Sequence, residues 1–322
     1  MLEIAVSNLT SIPVLAFALG LLATKIGSDL RLPEAIFQGF TIYLLLGIGI
    51  KGGVALNKTE FSELLIPVLW TLILSFLIPT IAFFALPLFG KFSIADRGAL
   101  ASHYGSTSLV TFTAAIVLLE SLQIYFEGFV VSLLAILEIP GILVGLLLAR
   151  QFSGSRPPLR ESLREILTGK SIILLSGGLV LGALTGQQGY AKVEPFFSSI
   201  FTGVLALFLL EMGIVAGRRL SDLRESGVGL FMFAVTFPLL SGFLGVSAGH
   251  FAGLSMGGAT ILGVLSASAS YIAAPAAVRL ALPEASPGKF LTASLGITFP
   301  FNLTLGIPAM LTLSQWMDGF FS

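Results

Sequence analysis

Two stretches of this sequence decide the fold: residues 102–111 read SHYGSTSLVT, and residues 266–275 read SASASYIAAP. Each is rich in small and hydroxyl-bearing residues, and each lies in the middle of a long apolar segment. Gly105 tolerates non-helical geometry. Pro275 has no backbone N–H and disfavours a helical conformation in the residue before it. The sequence therefore predicts two apolar helices that are interrupted near their middle.

The composition around these stretches is that of a membrane protein. Of the 322 residues, 55 % are hydrophobic and 11 % are charged, and the mean hydropathy is +0.99. Soluble domains carry about 25 % charged residues, so this chain has no ordinary soluble surface. The scarcity of charge also excludes nucleic-acid binding and intrinsic disorder. The absence of cysteine excludes disulfides, thiolate metal sites and cysteine nucleophiles.

The apolar segments predict an all-α integral membrane protein with ten membrane spans. A spanning helix needs about 20 mostly apolar residues. The ten candidates are 8–26, 34–54, 64–89, 94–119, 126–150, 170–187, 195–216, 228–252, 257–280 and 289–314. With the 150–170 loop in the cytoplasm, 14 of the 17 Lys and Arg residues fall inside, as the positive-inside rule requires. We expect a multi-pass protein of the cell's inner (plasma) membrane with both termini outside.

An internal repeat relates the two halves of the chain. When the sequence is shifted by 164 residues, residues 49–56 fall on 213–220, and both read G-I-x-x-G-x-x-L. The same shift places Ser102 on Ser266 and Ser106 on Ser270. Each copy holds five spans, and an odd number inserts the second copy upside down, as in many secondary transporters. The predicted organisation is a first repeat (1–150), a cytoplasmic linker (151–169) and an inverted second repeat (170–322). The alternative is coincidence among Gly- and Ser-rich helices.

The two interrupted helices predict an anion site. Where a helix is broken, the N-terminus of the second half presents backbone N–H groups, which bind anions. Hydroxyl groups add donors that can rotate toward an oxyanion. The candidate substrate-binding residues are Gly105, Ser106, Thr107, Ser108, Ser268, Ala269, Ser270 and Tyr271. The alternative is that these small residues only allow close helix packing.

A few further polar residues lie within the predicted spans. Sodium prefers oxygen ligands, and the candidates near the two breaks are Ser102, Thr111, Glu138 and Asn302, together with unwound backbone carbonyls. A carboxylate within the membrane is costly, so Glu138 is a functional candidate by default. The alternative is a protonated carboxyl that is hydrogen-bonded to a neighbour. For Glu211, a structural role and a functional one are equally compatible with the sequence.

The sequence also resembles a known family. Residues 96–120, which include GSTSLVTF at 105–112, resemble the fourth span of the cyanobacterial sodium-dependent bicarbonate transporters. The resemblance continues through residues 268–275, 284–287 and 306–308, and includes the E-I-P element at 138–140. It implies a ten-helix inverted-repeat fold with gate and core subdomains, usually a homotrimer. It also implies sodium-coupled bicarbonate uptake, with Na+ as the coupling ion, and a PII-like regulatory protein that docks on the cytoplasmic face.

One departure from that family concerns the ion site. Tyr271 stands where the cyanobacterial proteins carry an Asp in the sequence Ser-Ser-Asp-Ile. The alternatives therefore include another small anion or carboxylate as substrate, and coupling to protons. A passive anion channel needs a continuous polar path, whereas the polar residues here cluster at one depth. An intramembrane enzyme needs a nucleophile and base pair that this sequence lacks, so we expect no enzyme.

Overall fold

The computed structural model describes residues 2–153, 159–219 and 223–321, apart from a few side chains at the edges of these ranges. Within them every regular element is a helix, and 85 % of the residues are helical. Part of the predicted linker (154–158), the end of the second G-I-x-x-G-x-x-L motif (Leu220) and the two terminal residues lie outside the described residues.

In the described ranges, fourteen helices follow one another. They are α1 (Leu2–Leu9), α2 (Ile12–Lys25), α3 (Glu34–Lys58), α4 (Phe61–Leu88), α5 (Ile94–Gly105), α6 (Leu109–Ser121), α7 (Val130–Ser153), α8 (Leu159–Thr168), α9 (Lys170–Ala191), α10 (Phe201–Arg219), α11 (Gly227–Phe251), α12 (Met256–Ala267), α13 (Ala274–Ala281) and α14 (Pro287–Phe320). A π-helical turn, Pro195–Ser199, precedes α10, and two more lie within α14.

The helices are those of a multi-pass membrane protein. In the described part of the chain, seven helices are long and apolar enough to cross a bilayer. The number is eight if α1 and α2, which meet at a bend of 61°, form one span. The predicted spans 94–119 and 257–280 fall on the pairs α5–α6 and α12–α13, whose members are each shorter than a bilayer is thick. The predicted interruptions are therefore present in the structure.

One element was not predicted. The sequence suggested a plain linker over 151–169, but residues 159–168 form α8. Its Ser162 and Ile166 are buried, whereas Arg164 and Glu165 are exposed. The helix packs mainly against α13. The linker therefore covers part of the second interrupted helix.

Four helices form an interlocked group in which α2 packs along α10 and α3 packs along α9. Glycines allow these pairs to approach closely, because a Cβ atom on Gly49 would lie only 2.9 Å from the Cα of Gly178. A Cβ atom on Gly20 would lie 3.0 Å from the Cα of Gly213. Thr24 adds a hydrogen bond from its hydroxyl to the carbonyl of Ile214 (3.1 Å). The first long helix of each half of the chain thus lies on the second long helix of the other half.

A second group of helices contains both interrupted helices. There α5 packs against α4 and α7, and α12 packs against α11 and α14. Asp96 in α5 accepts hydrogen bonds from the backbone N–H of Ser286 (2.9 Å) and from the ammonium group of Lys289 (2.5 Å). At the start of α12, Ser255 donates its backbone N–H to Glu127 (2.6 Å). These contacts join the first half of the chain to the second within this group.

Candidate functional site

Each interruption is a short non-helical segment between two helices that follow each other in the sequence. Helix α5 ends at Gly105, and α6 begins at Leu109. Between them Ser106 and Ser108 have extended backbone angles. Helix α12 ends at Ala267, Ser268 is extended, and α13 begins at Ala274. Residues 106–108 and 268–270 are buried, so their backbone polar groups need partners within the protein or from a ligand.

After each interruption, a serine hydroxyl accepts a backbone N–H from the first turn of the next helix. The Ser108 hydroxyl oxygen accepts hydrogen bonds from the backbone N–H (3.2 Å) and the hydroxyl (2.9 Å) of Thr111, which makes Ser108 the N-cap of α6. After the second interruption, the Ser270 hydroxyl oxygen accepts the backbone N–H of Ala274 (3.3 Å). Pro275 lies in the first turn of α13, where its missing N–H costs nothing.

One hydrogen bond joins the interruptions to each other, and another joins the second interruption to the last turn of α5. The backbone N–H of Ser108 donates to the Ser268 hydroxyl oxygen (2.9 Å). The backbone N–H of Ser270 donates to the carbonyl oxygen of His103 (2.8 Å). The interruptions therefore lie side by side. Both of these N–H groups, which the sequence offered as anion donors, are occupied by protein acceptors.

A small cavity, here called the site cavity, lies beside this crossing. Its volume is about 10 Å³, roughly the space that one water molecule needs. Its lining is formed by Leu45, Thr107, Ser108, Leu109, Leu134, Glu138, Ser171, Ser270, Tyr271 and Ile272. The polar groups of this lining are hydroxyls and one carboxyl, and no Lys or Arg is among these described residues.

The start of α6 provides backbone donors at the site cavity. The N–H groups in the first turn of an α-helix have no partner within the helix. Leu109, the first residue of α6, lines the cavity, and Thr107 and Ser108 precede it there. The hydroxyls of Ser106 and Thr107 are buried and have no hydrogen-bond partner among the described residues. This corner of the site therefore has unused donors and the positive end of a helix dipole.

Glu138, on α7, is the carboxyl group of the site cavity. Its side chain is only 5 % exposed. Over the described ranges of the chain, the structure gives it neither a hydrogen bond nor an ion pair, so the neighbour that would stabilise a purely structural carboxyl is missing. Burial away from water disfavours the ionised form of such a group unless a cation lies beside it.

The other three predicted sodium ligands lie outside the cavity lining. The Ser102 hydroxyl donates to the carbonyls of Gly98 (2.9 Å) and Ile142 (3.0 Å). Asn302 donates its amide to the carbonyl of Ala267 (2.7 Å). Thr111 is nearest to the cavity, because its hydroxyl donates to Ser108. Glu138 is thus the member of this set that lines the cavity.

The predicted substrate-binding residues divide in the same way. Thr107, Ser108, Ser270 and Tyr271 line the site cavity, whereas Gly105, Ser106, Ser268 and Ala269 do not. Gly105 has a packing role. A Cβ atom there would lie 2.6 Å from the Cβ of Pro79 and 2.8 Å from the carbonyl oxygen of Gly141, so only glycine fits between α4 and α7.

Sequence reasoning missed the residues that complete the cavity. Ser171, at the start of α9, is the polar one, and Leu45, Leu109, Leu134 and Ile272 are the apolar ones. A signal for Ser171 existed, since the 164-residue shift that relates the two halves pairs it with another serine, Ser7. Glu211 has a structural role here, because it accepts the backbone N–H of Leu32 (2.8 Å).

Comparison with known proteins identifies the family of the chain. The family profile of the Na+-dependent bicarbonate transporter superfamily matches residues 13–315. No curated protein matches the sequence. Because the profile match covers nearly the whole chain, the chain belongs to the Na+-dependent bicarbonate transporter superfamily.

Proposed function

We propose that this member of the Na+-dependent bicarbonate transporter superfamily is a secondary active transporter that takes up bicarbonate together with sodium. Its family is one of transporters and not of enzymes. The observation that carries the proposal is the site cavity, which joins the start of α6 to a ring of hydroxyls and a single carboxyl. A site of this kind offers donors to an oxyanion and oxygen ligands to a cation within one small space.

The anion binds at the interrupted helices in this proposal. The backbone N–H groups at the start of α6 and the hydroxyls of Thr107, Ser108 and Ser270 hold the bicarbonate oxygens. Since no Lys or Arg lies among the described lining residues, the partial charge of the helix end supplies the attraction. Bicarbonate has four heavy atoms and needs more room than one water molecule. The cavity therefore widens when the anion enters.

Sodium binds beside Glu138 in the same proposal. An ionised carboxylate in this buried position is stabilised by a cation, and hydroxyl and carbonyl oxygens complete the shell. Thr111, Ser102 and Asn302 remain proposed ligands that approach the ion when the cavity widens. The same carboxyl is able to carry a proton in place of sodium, which is the alternative raised by Tyr271.

The architecture that we propose is ten spans arranged as two inverted five-span repeats. The support is that α5–α6 and α12–α13 are interrupted at positions related by the 164-residue shift. The interlocked helices α2, α3, α9 and α10 form the gate subdomain. The group that holds both interruptions forms the core subdomain. We place the linker in the cytoplasm and the termini outside the plasma membrane. A homotrimer and a PII-like regulator are supported by the family resemblance alone.

Uptake of labelled bicarbonate into proteoliposomes tests the function. At alkaline pH, where diffusion of CO2 is small, we expect accumulation with an inward sodium gradient and none with a choline gradient of equal strength. Protein-free liposomes are the control. Accumulation that follows a proton gradient and ignores sodium would establish proton coupling. Equilibration without accumulation under either gradient would identify a channel and contradict the proposal.

A further inference from the structure

A second cavity lies next to the site cavity. It has a volume of about 200 Å³ and lies between α8, the start of α9 and the start of α13. We call it the vestibule, and its lining includes Glu165, Ile166, Lys170, Ser171, Ile272 and Ala276. The charged groups of this lining are Lys170 and Glu165, both of which are exposed. The vestibule is large enough for a hydrated small anion.

Two residues belong to both cavities. Ser171 and Ile272 line the site cavity and also line the vestibule. Ser171 is buried in the first turn of α9, and Ile272 is half-buried in the second interruption. They belong to different groups of helices, because α9 is interlocked with α3 whereas the interruption belongs with α12 and α13. The wall between the cavities is thus one serine and one isoleucine, each on its own side of a boundary between helix groups.

Another crevice in the described part of the protein shares no lining residue with the site cavity. A crevice of about 200 Å³ runs between α1, α2 and α6, and its lining includes Asn8, Val14, Ala114, Leu118 and Ser121. In the part of the chain that the structure describes, its lining has no residue in common with that of the site cavity. It follows the end of α6, whereas the vestibule reaches the start of α13. Of these two cavities, the one that shares residues with the site cavity is therefore the vestibule, on the linker side.

We propose that Ser171 and Ile272 form the inner gate through which the anion passes between the site and the linker side. The proposal rests on the proposed function. The Ile272 side chain is the apolar barrier, and the Ser171 hydroxyl is a donor that receives the anion as it leaves Ser270 and Thr107. Lys170 attracts the anion at the mouth of the vestibule, and Glu165 keeps the vestibule free of net charge. Separation of α9 from the second interruption opens the gate.

Single cysteines test the gate, because the chain has none of its own. We expect a membrane-impermeant anionic thiol reagent to modify Ile272→Cys from the linker side of oriented vesicles and not from the opposite side. Bicarbonate with sodium should slow this modification. Thr168→Cys, exposed on α8 and outside both linings, is the control that should react equally with and without substrate. Modification of Ile272→Cys from the opposite side alone would overturn the proposal.

A size series at the same position measures the barrier. Overpacking a constriction by one larger side chain raises a barrier enough to slow passage by about ten-fold. We expect bicarbonate exchange to fall about ten-fold for Ile272→Phe and to exceed the parent rate for Ile272→Val, because the smaller side chain lowers the barrier. A single symmetric size-exclusion peak in detergent, at the elution volume of the parent, shows that the Phe variant is assembled. A parent that carries no bicarbonate would refute the proposed function, whereas a transporting parent with an unaffected Phe variant would refute the gate alone.

Discussion

Glu138 is the residue at which the two parts of the proposed site meet. It is buried, lines the site cavity, and has no partner in the described ranges, while Glu211, another buried carboxyl in an apolar helix, is held by the backbone of Leu32. The difference between these carboxyls is the physical basis for assigning function to one and structure to the other. An unpaired buried carboxyl lowers the stability of the folded protein. A bound ligand that stabilises the carboxyl is the natural explanation for its presence.

The first prediction concerns this carboxyl. Glu138→Gln removes the charge and keeps the shape, so we expect it to abolish sodium-stimulated bicarbonate uptake. Glu211→Gln is the matched control, because the amide oxygen still accepts the Leu32 N–H, and it should transport like the parent. The measurement is labelled-bicarbonate uptake as a function of the sodium gradient. Full sodium-stimulated uptake by Glu138→Gln would show that hydroxyls and backbone oxygens hold the ion without it.

Part of the site could be predicted from the sequence and part could not. Glu138, Thr107 and Ser108 were identifiable because polar residues inside apolar segments are conspicuous. Ser171 was missed because it lies at the end of a span, where a serine is unremarkable, and its one signal was the pairing with Ser7 under the 164-residue shift. The occupation of the Ser108 N–H by Ser268 depends on the relative position of two helices, which a one-dimensional pattern does not contain.

At the scale of elements, Ser108 ends the interruption between α5 and α6 and caps the helix that follows. Ser108 caps α6 through Thr111, and its own N–H is bound by Ser268. The cap fixes the direction in which the first N–H groups of α6 point. A weaker cap therefore affects both the stability of the half-helix and the geometry of its donors.

The second prediction separates these two effects. Ser108→Ala should cost about 1 kcal/mol of stability, the usual value of an N-cap, and should also reduce bicarbonate uptake. Ser93→Ala is the control, since Ser93 caps α5 at the end far from the interruption through the N–H of Asp96 and lies outside the site cavity lining. It should cost similar stability and leave uptake unchanged. We would measure thermal unfolding in detergent and bicarbonate uptake on both variants. The comparison separates the loss of stability from the loss of donor geometry. Equal uptake by the two variants would argue against donors at the start of α6.

Element prediction succeeded where the pattern was long and failed where it was short. The interrupted spans were visible because Gly105 and Pro275 stand within apolar runs. Helix α8 was not, because Arg160, Glu161 and Arg164 give its ten residues the composition of a surface loop. Its helical state depends on burial of Ile166 against the protein, and tertiary contacts decide such cases.

At the scale of the whole molecule, the charge asymmetry predicts the orientation in the membrane. The excess of Lys and Arg on the linker side requires that side to face the cytoplasm. In right-side-out vesicles we expect an impermeant thiol reagent to label Glu60→Cys, in the turn between α3 and α4, and to leave Glu161→Cys on α8 unlabelled. Both positions are exposed. Permeabilisation should make Glu161→Cys reactive. Labelling of Glu161→Cys in sealed vesicles would reverse the orientation.

The interlocked helices have a consequence for biosynthesis. The hydroxyl of Thr24 finds its acceptor on Ile214, 190 residues further along the chain. A ribosome that adds about 5–20 residues per second needs roughly 10–40 s to make that partner. During this interval the glycine face of α2 lacks its partner, whereas that of α3 gains α9 earlier. A chain that stops before α10 therefore leaves the glycine face of α2 uncovered.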